Sequence, residues 1–439
     1  MPRNFPLRIS QRLGLPDVSR HRALAAALVV DAVGTGLSGP LLLLYLIRVI
    51  GLSAGHAGLL LTLSGLFSLT VPALVGQLVD RWGPRRMVIV AQGLQATAMV
   101  GFLLSPVVTA VEPVLAVSGL LSAVGQRAFW SSIFTVVSDV AQATESDVTD
   151  SWFALSGMMQ AAGFAIGGLA AGGLLLLPGA LPFQTALAVN ATSFLVSACL
   201  LIVDPGHNVR RIVQRPTEFR SRRSLPDLTY LTLIMVNTLF AFCSSLLGIG
   251  LPVYVLNGLR APAWIVGPLL AVNTILCATT QGLVVKRTQS WSKLVVLAVA
   301  GAVWAVWGVI TAGVALIRGT RAPDAIIVLA LLVSVLVYSV AEVLHAPRSL
   351  SVASDAAPRA SRGQYLSWFQ YSFAVATLAA PVGFGLAFTV RPFLPWLVAA
   401  GVAMLGSTGM ILLRRPLQDR IARQDQTASV MPDGTDGLD

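Results

Sequence analysis

The chain has 439 residues, and its composition excludes an ordinary soluble globular protein. Hydrophobic residues make up 55% of the chain and charged residues only 11%, whereas soluble domains are about a quarter charged. The formal net charge of +11 is compatible either with nucleic-acid binding or with a membrane protein that has basic loops. The distribution of the basic residues along the chain decides between the two.

Apolar runs long enough to cross a membrane recur along the whole chain. A transmembrane helix needs about 20 predominantly apolar residues to cross a hydrocarbon core of about 30 Å. We identify twelve such spans, at residues 23–46, 57–79, 87–109, 114–138, 153–177, 184–203, 229–255, 264–285, 294–316, 324–345, 366–389 and 393–413. We therefore predict an all-α membrane protein with twelve transmembrane helices.

The basic residues are distributed unequally on the two sides of these spans. If the N-terminus lies inside, the inner segments carry 24 of the 30 basic residues. Five of the others lie in outer segments, and one, Arg127, lies within a span. By the positive-inside rule both termini face the cytoplasm, and membrane topology rather than nucleic-acid binding explains the charge. Lysine is rare, with only Lys286 and Lys293, and such an arginine-rich composition is compatible with a GC-rich bacterial genome. We expect a multi-pass protein of the bacterial inner (plasma) membrane.

One long hydrophilic segment divides the spans six and six. The predicted organisation is a cytoplasmic tail over residues 1–22, an N-terminal six-helix bundle over 23–203, a basic cytoplasmic linker over 204–228, a C-terminal six-helix bundle over 229–413 and a cytoplasmic tail over 414–439. The linker arginines either lie on anionic lipid headgroups or are simply solvated. The C-terminal tail is polar, and its end is rich in Gly and Asp, so we predict that it is disordered.

Short matching segments indicate that the two halves are related by an internal repeat. The stretch SDVAQATESDVTDSWF, from Ser138, matches SDAAPRASRGQYLSWF, from Ser354, without a gap. GQLVDR in the first half aligns with GLVVKR in the second, and VVDAVG aligns with IMVNTL, which places Asn237 opposite Asp31. Two parallel six-helix halves around a central site are a layout of secondary transporters.

A charged turn, GQLVDRWGPRR, lies between the second and third spans. It resembles the signature G-x-L-a-D-R-x-G-r-k of the major facilitator superfamily. The matching residues are Gly76, Leu78, Asp80, Arg81, Gly83 and Arg85, and Pro84 departs from the pattern at a position that is usually basic. The resemblance implies a secondary transporter in which two pseudo-symmetric six-helix bundles rock about a midplane cavity, with both termini inside.

The resemblance also implies a role for the charged turn. In the family, the acid of this motif docks near the start of helix 11 and its basic residues contact an acid that ends helix 4, which holds the outward-facing state closed on the inside. Asp139 matches the helix 4 acid. The resemblance therefore implies a conformational latch formed by Asp80, Arg81, Arg85 and Asp139, with Gly76 and Gly83 allowing the tight turn. The alternative is a basic loop anchor beside an unrelated helix-end acid.

Three ionisable residues lie at membrane depth, namely Asp31, Arg127 and Glu342. Each costs at least about 2.5 kcal/mol at a helix centre, so each is a functional candidate. If the family fold holds, helices 1, 4, 7 and 10 line the cavity and all three charges face it. We hypothesise that Asp31 is the proton-coupling site, Arg127 its tuning partner, and Glu342 a second acid or a cation contact. The alternative is a static ion pair that holds helices 1, 4 and 10 together.

Polar and aromatic residues on the same helices are candidates for the substrate cavity. They are Gln126, Trp130, Asn237, Asn273, Gln370 and Tyr371, with Gln281, Phe240, Trp304 and Trp368 as further members. Residues of these types in membrane helices more often pack or form interhelical hydrogen bonds, which is the alternative for each of them.

No motif in the sequence indicates an enzyme. There is no P-loop, zinc-binding HExxH or nucleophile elbow, and the four histidines do not cluster, so we predict no cofactor and no metal site. The helix 5 stretch GFAIGGLAAGG resembles the motif of the family's antiporters, although Gly168 replaces its proline and Ala171 one of its glycines. GTGLSG in helix 1 lacks a preceding strand, so its glycines indicate close packing rather than a dinucleotide site.

From these features we predict a monomeric secondary active transporter that exports small amphipathic or aromatic compounds, such as a drug or secondary metabolite, in exchange for protons. Its partners are the small-molecule substrate, protons and membrane lipids, and not nucleic acid. Uptake symport or facilitated diffusion of a small metabolite is the main alternative. A non-transporting receptor or scaffold is disfavoured because it would not need three charges at membrane depth.

Overall fold

The computed structural model describes residues 15–19, 21–144, 149–203, 226–319 and 323–429, and this part is helical with no strand. The tail arginines up to Arg20 and nearly all of the predicted linker lie outside the described residues, as do residues 430–439.

Six long helices form the N-terminal half. They are α1 (Arg22–Arg48), α2 (Ala54–Phe67 and Val71–Trp82, joined by a 3₁₀ turn at Ser68–Thr70), α3 (Pro84–Leu104), α4 (Val111–Thr144), α5 (Thr149–Leu174) and α6 (Leu181–Val203). Six more form the C-terminal half. They are α7 (Leu228–Val253), α8 (Val266–Arg287), α9 (Lys293–Gly319), α10 (Asp324–Asp355), α11 (Arg362–Val390) and α12 (Leu394–Leu412).

Eleven helices in the described ranges are long and apolar enough to cross a membrane, counting α2 as one. The remaining long helix, α4, has 34 residues and packs along α3. Its mean hydropathy is lowered by Gln126 and Arg127 near its middle, which is why it falls outside the apolar set. The predicted all-α membrane fold with two six-helix bundles is confirmed.

Glycines allow α1 to pack closely against its neighbours in the N-terminal half. A Cβ added at Gly167 of α5 would lie 2.2 Å from the carbonyl oxygen of Val33, and one added at Gly36 would lie 2.7 Å from the carbonyl oxygen of Phe164. Contacts this short exclude any larger residue without a shift of the backbone. The glycine-rich stretches of helices 1 and 5 therefore serve close helix packing.

Local sequence signals also set the helix ends. Ser53 caps α2 by accepting a hydrogen bond from the N–H of His56 at 3.2 Å, and Asp227 caps α7 through the N–H of Tyr230 at 3.0 Å. Gly83 separates α2 from α3 with a φ of +92°, a conformation that favours glycine, and Pro84 then occupies the first position of α3.

The prediction that residues 414–439 are disordered is wrong for the first part of that segment. Arg414–Ser429 forms a further helix, α13. Leu417 is fully buried against the C-terminal half, and the Arg420 guanidinium donates to the carbonyl of Ala356 at 2.7 Å and pairs with Asp227. The segment is polar in overall composition, which led to the prediction of disorder, but it has an apolar stripe along one side. Burial of that stripe against α7 and the α10–α11 turn stabilises the helix.

The apolar cores differ between the two ends of the molecule. One core is continuous from the C-terminal half into the N-terminal half, where it includes Val79, Val137 and Trp152. A second core lies within the other end of the N-terminal half, around Tyr45, Phe102 and Phe183. The halves therefore pack together at the end where α2, α4 and α10 end and α5 and α11 begin. We call this end the inner face, and the positive-inside rule assigns it to the cytoplasm.

Candidate functional site

The acid of the charged turn lies against the start of α11. Asp80 Oδ1 accepts a hydrogen bond from the N–H of Gly363 at 3.0 Å, and Oδ2 accepts one from the N–H of Gln364 at 3.1 Å. The first N–H groups of a helix have no partner within the helix, and the helix dipole favours a negative charge beside them. Asp80 thus occupies the place that the family resemblance implies, and it joins the N-terminal half to the C-terminal half.

Two glycines bring α2 and α11 into direct contact beside Asp80. A Cβ at Gly76 would lie 2.8 Å from the Cα of Gln364, and a Cβ at Gly363 would lie 2.4 Å from Cγ1 of Val79. Because the first of these contacts is with the backbone, a side chain at Gly76 would push the helices apart. Gly76 was among the predicted residues, whereas its counterpart Gly363 carried no motif that sequence reasoning could use.

The other residues of the charged turn occupy different positions around the inner face. Asp139 Oδ1 lies 4.0 Å from Nη1 of Arg362, the first residue of α11. Arg85 donates to the carbonyl of Leu201 on α6, which ties α3 to α6 within the N-terminal half. Arg81 is exposed at the end of α2. Across the halves, Asp139 therefore lies near Arg362, a residue that the sequence analysis did not identify.

Two residues at equivalent positions of the internal repeat meet at the centre of the inner face. The hydroxyl oxygens of Ser138 and Ser354 are 2.5 Å apart and both are buried. These serines begin the two matched segments of the repeat, so α4 and α10 contact each other at corresponding positions of the two halves.

A second ionic cluster joins the halves beside the serines. Asp150, the second residue of α5, pairs with Arg348 of α10 and lies 3.3 Å from Nζ of Lys293 on α9. Arg348 is only 3% exposed and also donates to the Thr288 hydroxyl at 3.0 Å. Lys293 reaches Asp355 at 2.7 Å. Sequence reasoning missed this cluster because the predicted tenth span ended at residue 345, which placed Arg348 in a loop, whereas α10 continues to Asp355.

Burial along α4 and α10 shows which end of the interface is closed. Residues 131–138 of α4 and 347–354 of α10 are all buried. Towards the opposite end, exposed residues are frequent on both helices, including Val117, Leu120, Leu329 and Val333. The space between the halves is therefore closed at the inner face.

Asp31 does not lie where the cavity hypothesis requires. It is buried, and its Oδ1 accepts a hydrogen bond at 2.9 Å from Nε2 of Gln92 on α3, which lies 3.2 Å from the Ser197 hydroxyl on α6. Within the described part of the chain, no ion pair joins Asp31 to Arg127. The expectation that Asp31 faces the cavity with Arg127 as its partner is wrong, because sequence position gave the depth of Asp31 but not the direction in which the helix presents it.

Glu342 is held by residues of its own half. Its Oε2 lies 3.0 Å from the Tyr338 hydroxyl and its Oε1 lies 3.3 Å from the Ser244 hydroxyl. Tyr338 also lies 2.7 Å from the carbonyl oxygen of Ser244, although a tyrosine has only one hydroxyl proton to donate. If Glu342 carries a proton, both contacts of Tyr338 are satisfied, and if Glu342 is ionised, two acceptors compete for one proton.

Arg127 lies on the face of α4 that points towards the other half. Two residues earlier, Gly125 packs against Gln95 of α3. At about 100° per residue, Arg127 points to nearly the opposite side of α4 from Gly125. Ser138, which meets the C-terminal half, is eleven residues further on and lies within about 20° of the same face. Arg127 is half-buried and forms no hydrogen bond or ion pair with any residue that the structure describes.

The remaining cavity candidates divide into two groups. Gln126 is exposed, and Trp130, Asn273, Tyr371 and Trp368 are half-buried on α4, α8 and α11. The other members are buried, which corrects their assignment to the cavity lining: Asn237, Gln370, Gln281, Phe240 and Trp304.

Asn237, one of the buried candidates, forms hydrogen bonds between helices. Its amide donates to the Ser372 hydroxyl at 2.7 Å, and its oxygen lies 3.0 Å from Nε2 of His345. His345 is buried between Phe240 and Trp304, with ring centroids 5.3 and 5.1 Å away. Asn237 therefore belongs to an interhelical network inside the C-terminal half. His345 was missed because a single histidine in an apolar helix has no sequence signature.

Comparison with known proteins agrees with this arrangement. The family model described as Major Facilitator Superfamily matches residues 24–381. A tetracycline resistance protein, class G, from Vibrio anguillarum is 30% identical over 194 residues, which is 43% of this chain and 47% of that protein. The chain thus matches about half the length of this curated relative.

Three similar solved structures are each below 25% identity to this chain, so they bear on the fold alone. A bacterial homologue of the iron transporter ferroportin, in an outward-facing state, has a TM-score of 0.72 at 15% identity and covers 90% of this chain and 99% of its own. The proton:xylose symporter XylE bound to 6-bromo-6-deoxy-D-glucose has a TM-score of 0.69 at 15% identity, with 88% and 93% covered. The human organic anion transporter MFSD10 has a TM-score of 0.67 at 16% identity, with 91% and 99% covered.

The family match covers most of the chain. The protein is therefore a multi-pass membrane transporter and not an enzyme, as the sequence predicts. It belongs to the major facilitator superfamily.

Proposed function

We propose that this transporter exports small amphipathic or aromatic compounds in exchange for protons, by alternating access between its two halves. The closure of the inner face carries the proposal, because cross-half contacts concentrated at one end are what a transporter needs to hold its central cavity open to the other side. The curated relative is a tetracycline resistance protein, and resistance given by a member of a transporter family favours export over uptake.

The inner-face contacts are the proposed latch of the outward-facing state. Asp80 at the start of α11, Asp139 near Arg362, and Asp150 with Arg348 each join residues of opposite halves. Opening to the inside requires all three to separate. Their charged groups are then rehydrated by water from the cytoplasm, which offsets much of the cost of breaking them.

Glu342 is the proposed proton carrier, in place of Asp31. Gain or loss of a proton at Glu342 changes which acceptor receives the Tyr338 proton, and therefore changes the tie between α10 and the Ser244 carbonyl of α7. Asp31 instead accepts from an amide inside the N-terminal half, a contact that an asparagine could retain. Proton exchange at Glu342 would thus act on two helices of the C-terminal half, whereas Asp31 has a packing role.

Proton movement in proteoliposomes tests this assignment. Wild type, Glu342→Gln and Asp31→Asn are challenged with lipophilic cations, aromatic acids and neutral metabolites while internal pH is followed. We expect substrate-dependent proton flux in the wild type and in Asp31→Asn, and its loss in Glu342→Gln with substrate exchange retained. Substrate flux without proton movement in the wild type would contradict exchange with protons and favour a facilitator. Proton and substrate moving in the same direction would favour uptake symport.

A further inference from the structure

We infer that Arg127 binds an anionic group of the substrate, so that the transported compounds include aromatic acids: carboxylates or ionised phenols attached to a ring system. The inference rests on the proposed function and specifies the chemistry of its substrate. Arg127 is the cationic residue near the middle of α4, on the face that points towards the other half.

The first step concerns the missing counter-charge. Both acids at membrane depth are already held within their own halves, Asp31 by Gln92 and Glu342 by Tyr338 and Ser244. Neither forms an ion pair with Arg127 among the described residues. An unpaired guanidinium at this depth is costly, so a transporter that retains one has a use for its charge.

Comparison with the other half-buried or buried arginines of the interface supports this step. Arg348 pairs with Asp150 and donates to the Thr288 hydroxyl, and Arg362 lies near Asp139 and donates to Gln142. These arginines lie at the inner face and have protein partners. Arg127 lies about three helical turns further from the inner face and has none in the described part of the chain. A guanidinium without a protein partner is free to bind a carboxylate in the bidentate manner that arginine favours.

The second step concerns the surface beside the guanidinium. Trp130, one helical turn nearer the inner face, is half-buried, and its ring lies 5.5 Å from that of Phe134 at an interplanar angle of 36°. Phe134 in turn packs near Phe153 of α5, with centroids 6.2 Å apart. Phe134 and Phe153 are buried, so Trp130 is the ring of these three that is partly exposed. A flat ring that rests on Trp130 can place an attached anion within reach of Arg127.

The third step concerns the opposite wall. The repeat places Val343, not a second cation, at the position equivalent to Arg127, and Glu342 beside it is hydrogen-bonded to α7. Of these two equivalent positions Arg127 is the cationic one, so its positive charge lies on the N-terminal side. A substrate with one anionic group binds in a single orientation, with its anion at Arg127 and its ring against Trp130 of the same helix.

Binding of a matched set of probes tests the inference with the full chain in lipid nanodiscs. The probes are 1-naphthoate, its neutral amide 1-naphthamide, and indole-3-carboxylate, measured by equilibrium binding and by thermal stabilisation. The variants are Arg127→Gln and Arg127→Lys. Arg48→Gln removes an exposed arginine at the far end of α1 and is the control for net charge.

We expect the wild type and Arg48→Gln to bind naphthoate at least about tenfold more tightly than naphthamide, which is about 1.4 kcal/mol. Arg127→Gln should bind the two probes equally, and Arg127→Lys should keep part of the preference because it keeps the charge. Equal binding of the acid and the amide by the wild type, an unchanged preference in Arg127→Gln, or no binding of any aromatic acid would overturn the inference.

The proton-flux experiment keeps this inference separate from the proposed function. Proton-coupled transport of neutral or cationic compounds, without any preference for acids, would overturn the inference and leave the proposed function standing. An acid preference that depends on Arg127, without proton movement, would support the inference and contradict the proposed coupling.

Discussion

The inner face and the membrane midplane use charge in opposite ways. At the inner face, acids of the N-terminal half contact groups of the C-terminal half: Asp80 the start of α11, Asp139 Arg362, and Asp150 Arg348 and Lys293. At the midplane, no described charge pairs across the halves, and Arg127 has no partner among the described residues. The difference indicates two separate roles. The charges of the inner face stabilise the outward-facing conformation, whereas the charges at the midplane remain available to bind ligand and proton.

The largest effect should follow from removing the buried acid of the inner face. Asp150→Asn leaves Arg348 buried without its counter-charge, and breaking a buried pair in this way costs roughly 3–5 kcal/mol. We expect a fall in the apparent melting temperature and an increase in labelling of a cysteine at residue 354 by an impermeant thiol reagent from the inside. Asp355→Asn is the matched control. Lys293 still pairs with Asp150 in this variant, so the effect of Asp355→Asn should be much smaller. Equal effects of the two variants would show that the buried pair does not hold the inner face.

A methyl group at the α2–α11 contact should have the next largest effect. Gly76→Ala places a Cβ 2.8 Å from the Gln364 Cα, and overpacking of this kind costs roughly 1–3 kcal/mol. The same labelling assay should report a more open inner face. Gly93→Ala on α3, where a Cβ meets nothing within 4 Å, is the control and should leave labelling unchanged. If both variants label alike, close approach of these helices is not required for closure.

The cap at α11 should contribute about 1 kcal/mol. Asp80→Ala removes both acceptors of the Gly363 and Gln364 N–H groups, whereas Asp80→Asn keeps one acceptor oxygen and loses the charge and the second acceptor. We expect inner-face labelling to increase in the order wild type, Asp80→Asn, Asp80→Ala. An Asn variant as open as the Ala variant would mean that the one hydrogen bond retained by Asn does not stabilise the contact.

The smallest effect is expected at α13, where Arg420 contacts Ala356 and Asp227 of the C-terminal half. Burial lowers the pKa of Arg420, yet the group still pairs with Asp227 and lies 5.5 Å from the Tyr365 ring centroid. Arg420→Ala should lower the apparent melting temperature slightly, by the equivalent of about 1 kcal/mol or less, without changing inner-face labelling. Arg414→Ala, at an exposed position of the same helix, is the control. An increase in labelling for Arg420→Ala would assign α13 a part in gating.

The sequence predicts the fold well because membrane helices follow directly from apolar length. It also predicts the position of Asp80 at the start of α11, because that position follows from a motif with fixed geometry. It does not predict the direction of Asp31, because the depth of a residue is set by its distance along the helix, whereas its neighbours depend on how the helix is rotated in the bundle. The Asp150–Arg348 pair was missed for a related reason: α10 extends well past its apolar part, and contacts between residues 198 positions apart leave no local pattern.

A disulfide between the two repeat-equivalent serines tests alternating access most directly. With the native Cys199, Cys243 and Cys277 replaced by alanine, the double variant Ser138→Cys and Ser354→Cys places two thiols where the hydroxyl oxygens are 2.5 Å apart, close to an S–S bond length of about 2.05 Å. We predict that oxidation stops transport and that reduction restores it, while oxidation has no effect on Ser138→Cys alone. A cross-linked protein that transports at the uncross-linked rate would contradict the account, because its inner face would then not need to open.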